Sequence, residues 1–102
     1  MSEKRSDAER LVELLAEEQR WLGKYYGHQG QAKVASEEMD LAEKMIQEAI
    51  MDEDEDARKY WERRRKKAKA RKEYHIKETT QAWAKLAEVR REIRNILRRG
   101  RI

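Results

Sequence analysis

The sequence predicts an all-α protein, and three observations carry that prediction. Lys, Arg, Glu, Ala, Leu and Gln, all good helix formers, dominate the chain. Pro is absent, so nothing forbids long uninterrupted helices. Thr occurs only at 79 and 80, and no stretch alternates apolar and polar residues for long, as a half-buried strand would. Of the 102 residues, 38% are hydrophobic and 45% charged. That length fits one domain with a small core, which holds only where the apolar residues are strictly patterned.

Helix 1 is expected over about 7–27. Ser6 and Glu9 have capping-box spacing ahead of an apolar run. Leu11, Leu14, Leu15, Trp21, Leu22 and Tyr25 then recur at three- and four-residue steps, with Glu18 at the edge of the stripe. Gly27-His28-Gln29-Gly30 reads as the stop, because glycine readily takes the left-handed conformation that ends helices. Helix 2 follows over about 31–51. Its stripe is Ala35, Met39, Ala42, Met45, Ile46, Ala49 and Ile50, and the alanines one heptad apart would let a neighbouring helix come close. The acidic run 52–56 reads as a turn and as the cap of the next helix.

Helix 3 is expected over about 57–99. Ala57, Trp61, Ala68, His75, Thr79, Leu86, Ile93 and Leu97 form a narrow stripe that repeats every 18 residues, five turns of a straight helix. The weak point is 78–80, where two β-branched residues could cap a fourth helix. Two architectures follow. In the first, antiparallel helical hairpins carry a long C-terminal helix, giving a three-helix chain that self-associates. In the second, the chain breaks near Thr79 and closes a four-helix bundle. The unbroken stripe favours the first. Helices 1 and 2 would cover only the first half of helix 3, leaving Trp83, Leu86, Val89, Ile93, Ile96 and Leu97 to seek another copy.

Charge is segregated along the chain. The net charge of +4 divides into −1 over 1–30, −8 over 31–56 and +13 over 57–102. Within 63–72, Arg63, Arg64, Arg65, Lys66, Lys67, Lys69, Arg71 and Lys72 make eight cations in ten residues. They are candidates for binding a polyanion such as nucleic acid, whose phosphates release counterions when neutralised. Tyr60, Trp61 and Tyr74 flank them and are candidates for stacking on bases, with Trp83 further along. The alternative is internal pairing, in which Glu37, Glu38, Asp40, Glu43 and Glu48 lie level with 63–74 across a hairpin. A second cationic cluster comprises Arg90, Arg91, Arg94, Arg98, Arg99 and Arg101.

Templates for catalysis and metals fail on particular residues. Glu-x-x-His is missing, because Tyr25 and Lys72 stand three before His28 and His75. Those histidines read as a turn residue and a core residue. Ser2, Ser6 and Ser36 are explained by capping. Asp52, Asp54 and Asp56 begin like a calcium loop, but Ala57 and Arg63 stand where Gly and Glu are required. With no Cys, no cysteine-ligated metal or disulfide can form. No cofactor, metal or small-molecule substrate is expected, and no family is recognised from the residues.

No apolar run approaches the ~20 residues of a membrane span, and the first ten residues lack a signal peptide's apolar stretch, so an intracellular, cytoplasmic protein is expected. The function expected is non-enzymatic interaction or assembly, with a homo-oligomer as partner, of the kind a small phage or viral assembly or regulatory factor performs. Nucleic-acid or acidic-protein binding through 63–72 is the alternative. A de novo designed helical bundle also fits the composition, although Gly23 inside a helix and the uneven charge depart from idealised designs.

Overall fold

The structure is a computed structural model and describes residues 6–100. Ser2 and Arg101 lie outside the described residues. Two α-helices of 45 residues each account for almost all of it: α1, Asp7–Met51, and α2, Glu55–Arg99. No strand occurs among the described residues, so the protein is all-helical.

Each helix end has a local cause. Ser6 Oγ accepts the Glu9 amide at 3.1 Å, and Asp7 and Glu9 place negative charge in the first turn of α1. At the other end the chain makes a Schellman turn. Glu53 N–H donates to the Ile50 carbonyl at 3.1 Å, and Asp54 N–H to the Ala49 carbonyl at 2.9 Å. Glu53 holds the left-handed position with φ 55°. Asp54 then caps α2, its Oδ1 accepting the Ala57 amide at 3.1 Å. Glu55 and Asp56 open α2, and Arg98 and Arg99 close it, both matched to the helix dipole.

The break expected at 27–30 does not occur, so helices 1 and 2 of the sequence reading are one helix. Glycine costs a helix about 1 kcal/mol relative to alanine, a local preference that tertiary pairing overrides. No described glycine has a positive φ, so Gly27 and Gly30 are ordinary helical residues. At the expected weak point, α2 runs through Thr79 and Thr80 unbroken.

The chain's contacts form two compact units. Unit 1 joins α1 up to Tyr26 with α2 from Thr79 on; unit 2 is Gly27–Glu78. In unit 1 the helices run antiparallel, as the pairs Asp7–Arg99, Glu18–Arg90 and Tyr25–Trp83 show. Leu14, Val89, Ile93 and Ile96 form its core, with Leu11 and Trp21 packed against them. Unit 2 is a helical hairpin closed by the Asp54 turn. Its seam is built from small residues, with Ala35, Ala42, Ala49 and Ala68 buried beside Ile46.

The buried residues follow a heptad, not the 18-residue repeat. On α2, Ala82, Leu86, Val89, Ile93 and Ile96 step by four and three, a period of 3.5. On α1 the same phase runs through Leu11, Leu14, Glu18, Trp21, Tyr25 and His28 to Ile46 and Ala49. A wheel turned at 100° per residue drifts off such a seam by about 20° per heptad. That drift places Leu97 on the straight-helix stripe, although it is half exposed, and drops Ala82, which is buried.

Candidate functional site

Continuity of α1 changes the expected self-association surface. Leu86, Val89, Ile93 and Ile96 are buried within the chain, because the first half of α1 covers this stretch of α2. They are core residues and do not await another copy. Trp83 and Leu97 are different, being 52% and 47% exposed.

These two belong to a larger apolar row in unit 1. On α1, the residues directly after the seam positions at 7, 14 and 21 are Ala8, Leu15 and Leu22. Val12 and Tyr26 lie four residues on from Ala8 and Leu22. On α2, Trp83 and Leu97 directly follow the seam residues Ala82 and Ile96. In an antiparallel heptad pair these positions share one flank. Ala8 and Leu97 accordingly line a common cleft with Leu11, Ile96 and Gly100. Trp83 stacks at a tilt on Tyr25, centroids 5.1 Å apart, and Tyr25 meets Tyr26 edge-on at 5.2 Å. A second cleft of about 210 Å³ lies between Trp83, Leu86 and Ala87 and the cations Arg90, Arg91 and Arg94. Val12, Leu15 and Tyr26 are all exposed on this flank.

The opposite flank carries charge. Arg10 and Glu92 each directly precede a seam residue, and Arg10 clasps Glu92 through Nε and Nη2 at 3.0–3.2 Å. That hydrogen bonding raises the Arg10 pKa further above its ordinary value. Arg99 reaches Asp7 at 3.2 Å. Glu18, the polar residue in the α1 stripe, is held by Arg90 Nε at 3.0 Å. A seam-position carboxylate in unit 1 is thus partnered within the chain.

In unit 2, α1 supplies acids and α2 supplies bases. Glu38 pairs with Arg71, and Glu43 lies 4.0 Å from Arg65. The pairing expected across the hairpin thus occurs at these two levels. The Arg71 guanidinium holds the Glu38 carboxyl below its ordinary range, and Arg58 does the same to Glu55. The other candidates, Arg63, Arg64, Lys66, Lys67, Lys69 and Lys72, make no ion pair among the described residues, and all but the half-buried Lys72 are exposed. The stacking candidates separate. Tyr60 and Tyr74 are exposed, whereas Trp61 is half-buried in the seam. Arg64 lies over the Tyr60 ring, its guanidinium carbon 5.8 Å from the centroid.

No protein-family model matches the chain, and no curated protein or solved structure does so either.

His28 and His75 meet across the hairpin, Nδ1 to Nδ1 at 2.8 Å, with Tyr74 edge-on to His28. The sequence reading placed them singly, as turn and core residues, and missed the pair. Heptad phase would have found it: His28 lies two heptads after Leu14, and His75 two heptads before Val89. No cluster of three or more His, Cys, Asp or Glu able to hold a metal occurs among the described residues. No described helix is long and apolar enough to cross a membrane.

Proposed function

We propose that this chain is a non-enzymatic assembly protein that pairs with a second copy of itself through the apolar flank of unit 1. One observation carries the proposal. Val12, Leu15, Tyr26, Trp83 and Leu97 are exposed together on one flank, while Arg10 and Glu92 close the other. Single exposed apolar residues need no explanation, but a continuous row on both helices of a pair does.

A second copy is the occupant that fits. Two helices enclose little, and among the described residues the only large side chains fully buried are Leu14 and Leu86. Four helices around a shared core are the common solution for heptad hairpins. A two-fold pair sets the same patch against itself, and this flank is self-complementary: Trp83 and Leu15 are bulky, while Ala16, Gly23, Ala84 and Ala87 leave room. The Gly23 position is open, with no atom near where a Cβ would stand, so a helix from outside can approach there closely. The open cleft beside Arg90, Arg91 and Arg94 gives the partner's α1, with an acid at Glu9, a basic rim to meet.

Sedimentation equilibrium tests this with Val12→Glu and Trp83→Glu. Both side chains are more than half exposed in the single chain, so helicity by circular dichroism should persist. The wild-type protein should sediment as a dimer and both variants as monomers. A wild-type monomer at ~100 μM, where even a weak dimer would be populated, overturns the proposal.

A further inference from the structure

We infer that the outer face of α2 in unit 2 binds single-stranded nucleic acid, with Tyr60 and Tyr74 as base-stacking platforms at either end of a row of phosphate-binding cations. The inference uses residues outside the self-association flank and stands independently of it.

The charge density comes first. Eight cations in ten residues occupy about 15 Å of helix, one per about 2 Å. Duplex DNA carries a phosphate per about 1.7 Å and each strand one per about 3.4 Å; the segment's cations lie on all sides of the helix, and Arg63, Lys66 and Lys67 are those exposed on its outer side for a single strand to meet. A face serving solubility alone mixes both signs. The acidic half of α1 does not neutralise it: among the described residues of the segment, only Arg65 and Arg71 form ion pairs with it, to Glu43 and Glu38. Arg63, Lys66 and Lys67 stay exposed without an ion pair among the described residues.

The aromatic residues are the second, separate observation. Tyr60 and Tyr74 are fourteen residues apart, two heptads, with Lys67 midway, so all three share one stripe about 21 Å long. Each tyrosine precedes a seam ring that braces it edge-on at 5.1 Å: Trp61 behind Tyr60, and His75 behind Tyr74. The seam rings are half-buried, while the tyrosines are exposed. A packing role would place the tyrosine rings in the seam. Here both rings are about half exposed on the basic surface, with Arg64 over Tyr60 and His28 edge-on to Tyr74, and the ring surface left open is what an unpaired base would stack on. Bases in a duplex are already stacked, so the rings select single strands.

Fluorescence anisotropy with a labelled mixed-sequence oligonucleotide, alone or annealed to its complement, tests the inference. Binding of the single strand should weaken about a hundredfold between ~50 and ~200 mM salt if about five phosphates are engaged. Tyr60→Ala and Tyr74→Ala should each weaken it by about tenfold. Lys66→Glu with Lys67→Glu should remove it, with helicity unchanged. Val12→Glu should retain it, which separates this surface from self-association. Equal affinity for the duplex or for heparin with no effect of the tyrosine variants would show polyelectrolyte attraction only and overturn the assignment, as would no binding at low salt.

Discussion

At Glu53 the backbone occupies φ 55°, a conformation in which a Cβ crowds the following carbonyl and costs a non-glycine residue about 1–2 kcal/mol. Glycine relieves that crowding at some cost in unfolded-state entropy. Glu53→Gly should therefore raise unfolding free energy by about 1 kcal/mol in urea melts. The neighbouring cap has the opposite sign: Asp54→Ala removes the acceptor of the Ala57 amide and should cost about 1 kcal/mol in the same assay. Two carboxylates contribute to the acid limb. Glu38 beside Arg71 and Glu55 beside Arg58 have folded pKa values below the ordinary 4.5. A depressed carboxylate means that the unfolded chain takes up the proton first. Their stabilisation is therefore complete above the ordinary carboxylate range and is lost as pH falls through it. The thermal midpoint should be level near neutrality and drop below about pH 4.5, with a smaller drop in Glu38→Gln.

At the scale of the helices, the core sits where the heptad seam has large residues. Leu14 is fully buried against Val89, Ile93 and Ile96, and Leu14→Ala should cost about 2–5 kcal/mol in chemical denaturation. Much of this level is written locally. Ser6 with Glu9, the acidic run at 52–56 and the unbroken stretch after Ala57 announce themselves through capping and the absence of breakers, and each lies where it was expected. The join between helices 1 and 2 was not legible, because Gly27 and Gly30 are penalised by local preference while the partner helix that outweighs them is some fifty residues away in sequence. The role of Leu86, Val89, Ile93 and Ile96 went wrong for the same reason: a shorter helix 1 leaves them without cover. Of the basic surface, the cations were evident from sequence. Which aromatic faces outward was not, since Tyr60 and Trp61 are adjacent and only the 3.5-residue phase decides between them.

For the whole molecule, stability and association should be linked. If the apolar flank of unit 1 closes against a second copy, the partner acts as a ligand of the folded state, and the thermal midpoint rises with protein concentration. Differential scanning calorimetry over a hundredfold concentration range should show that rise in the wild-type protein and a constant midpoint in Val12→Glu. The opposed charges of α1 and α2 in unit 2 act differently, through salt. Their pairs are solvent-exposed, so added salt should weaken them and the basic surface together, while the apolar flank is unaffected or strengthened.

The Asp54 turn also sets an order in time. Glu38 and Arg71 are 33 residues apart in sequence, whereas Asp7 and Arg99 are 92 apart. Closing the longer loop costs about 0.9 kcal/mol more chain entropy. The hairpin nearest the turn therefore zips first, though its alanine seam offers little apolar reward, and the leucine- and isoleucine-rich ends come together last. Until they do, Leu14, Ile93 and Ile96 remain uncovered on the folding chain. On that order a nascent molecule would expose its stickiest residues longest, and the mutually repelling arginines near them in sequence, Arg90, Arg91 and Arg94, would act as gatekeepers against premature clumping.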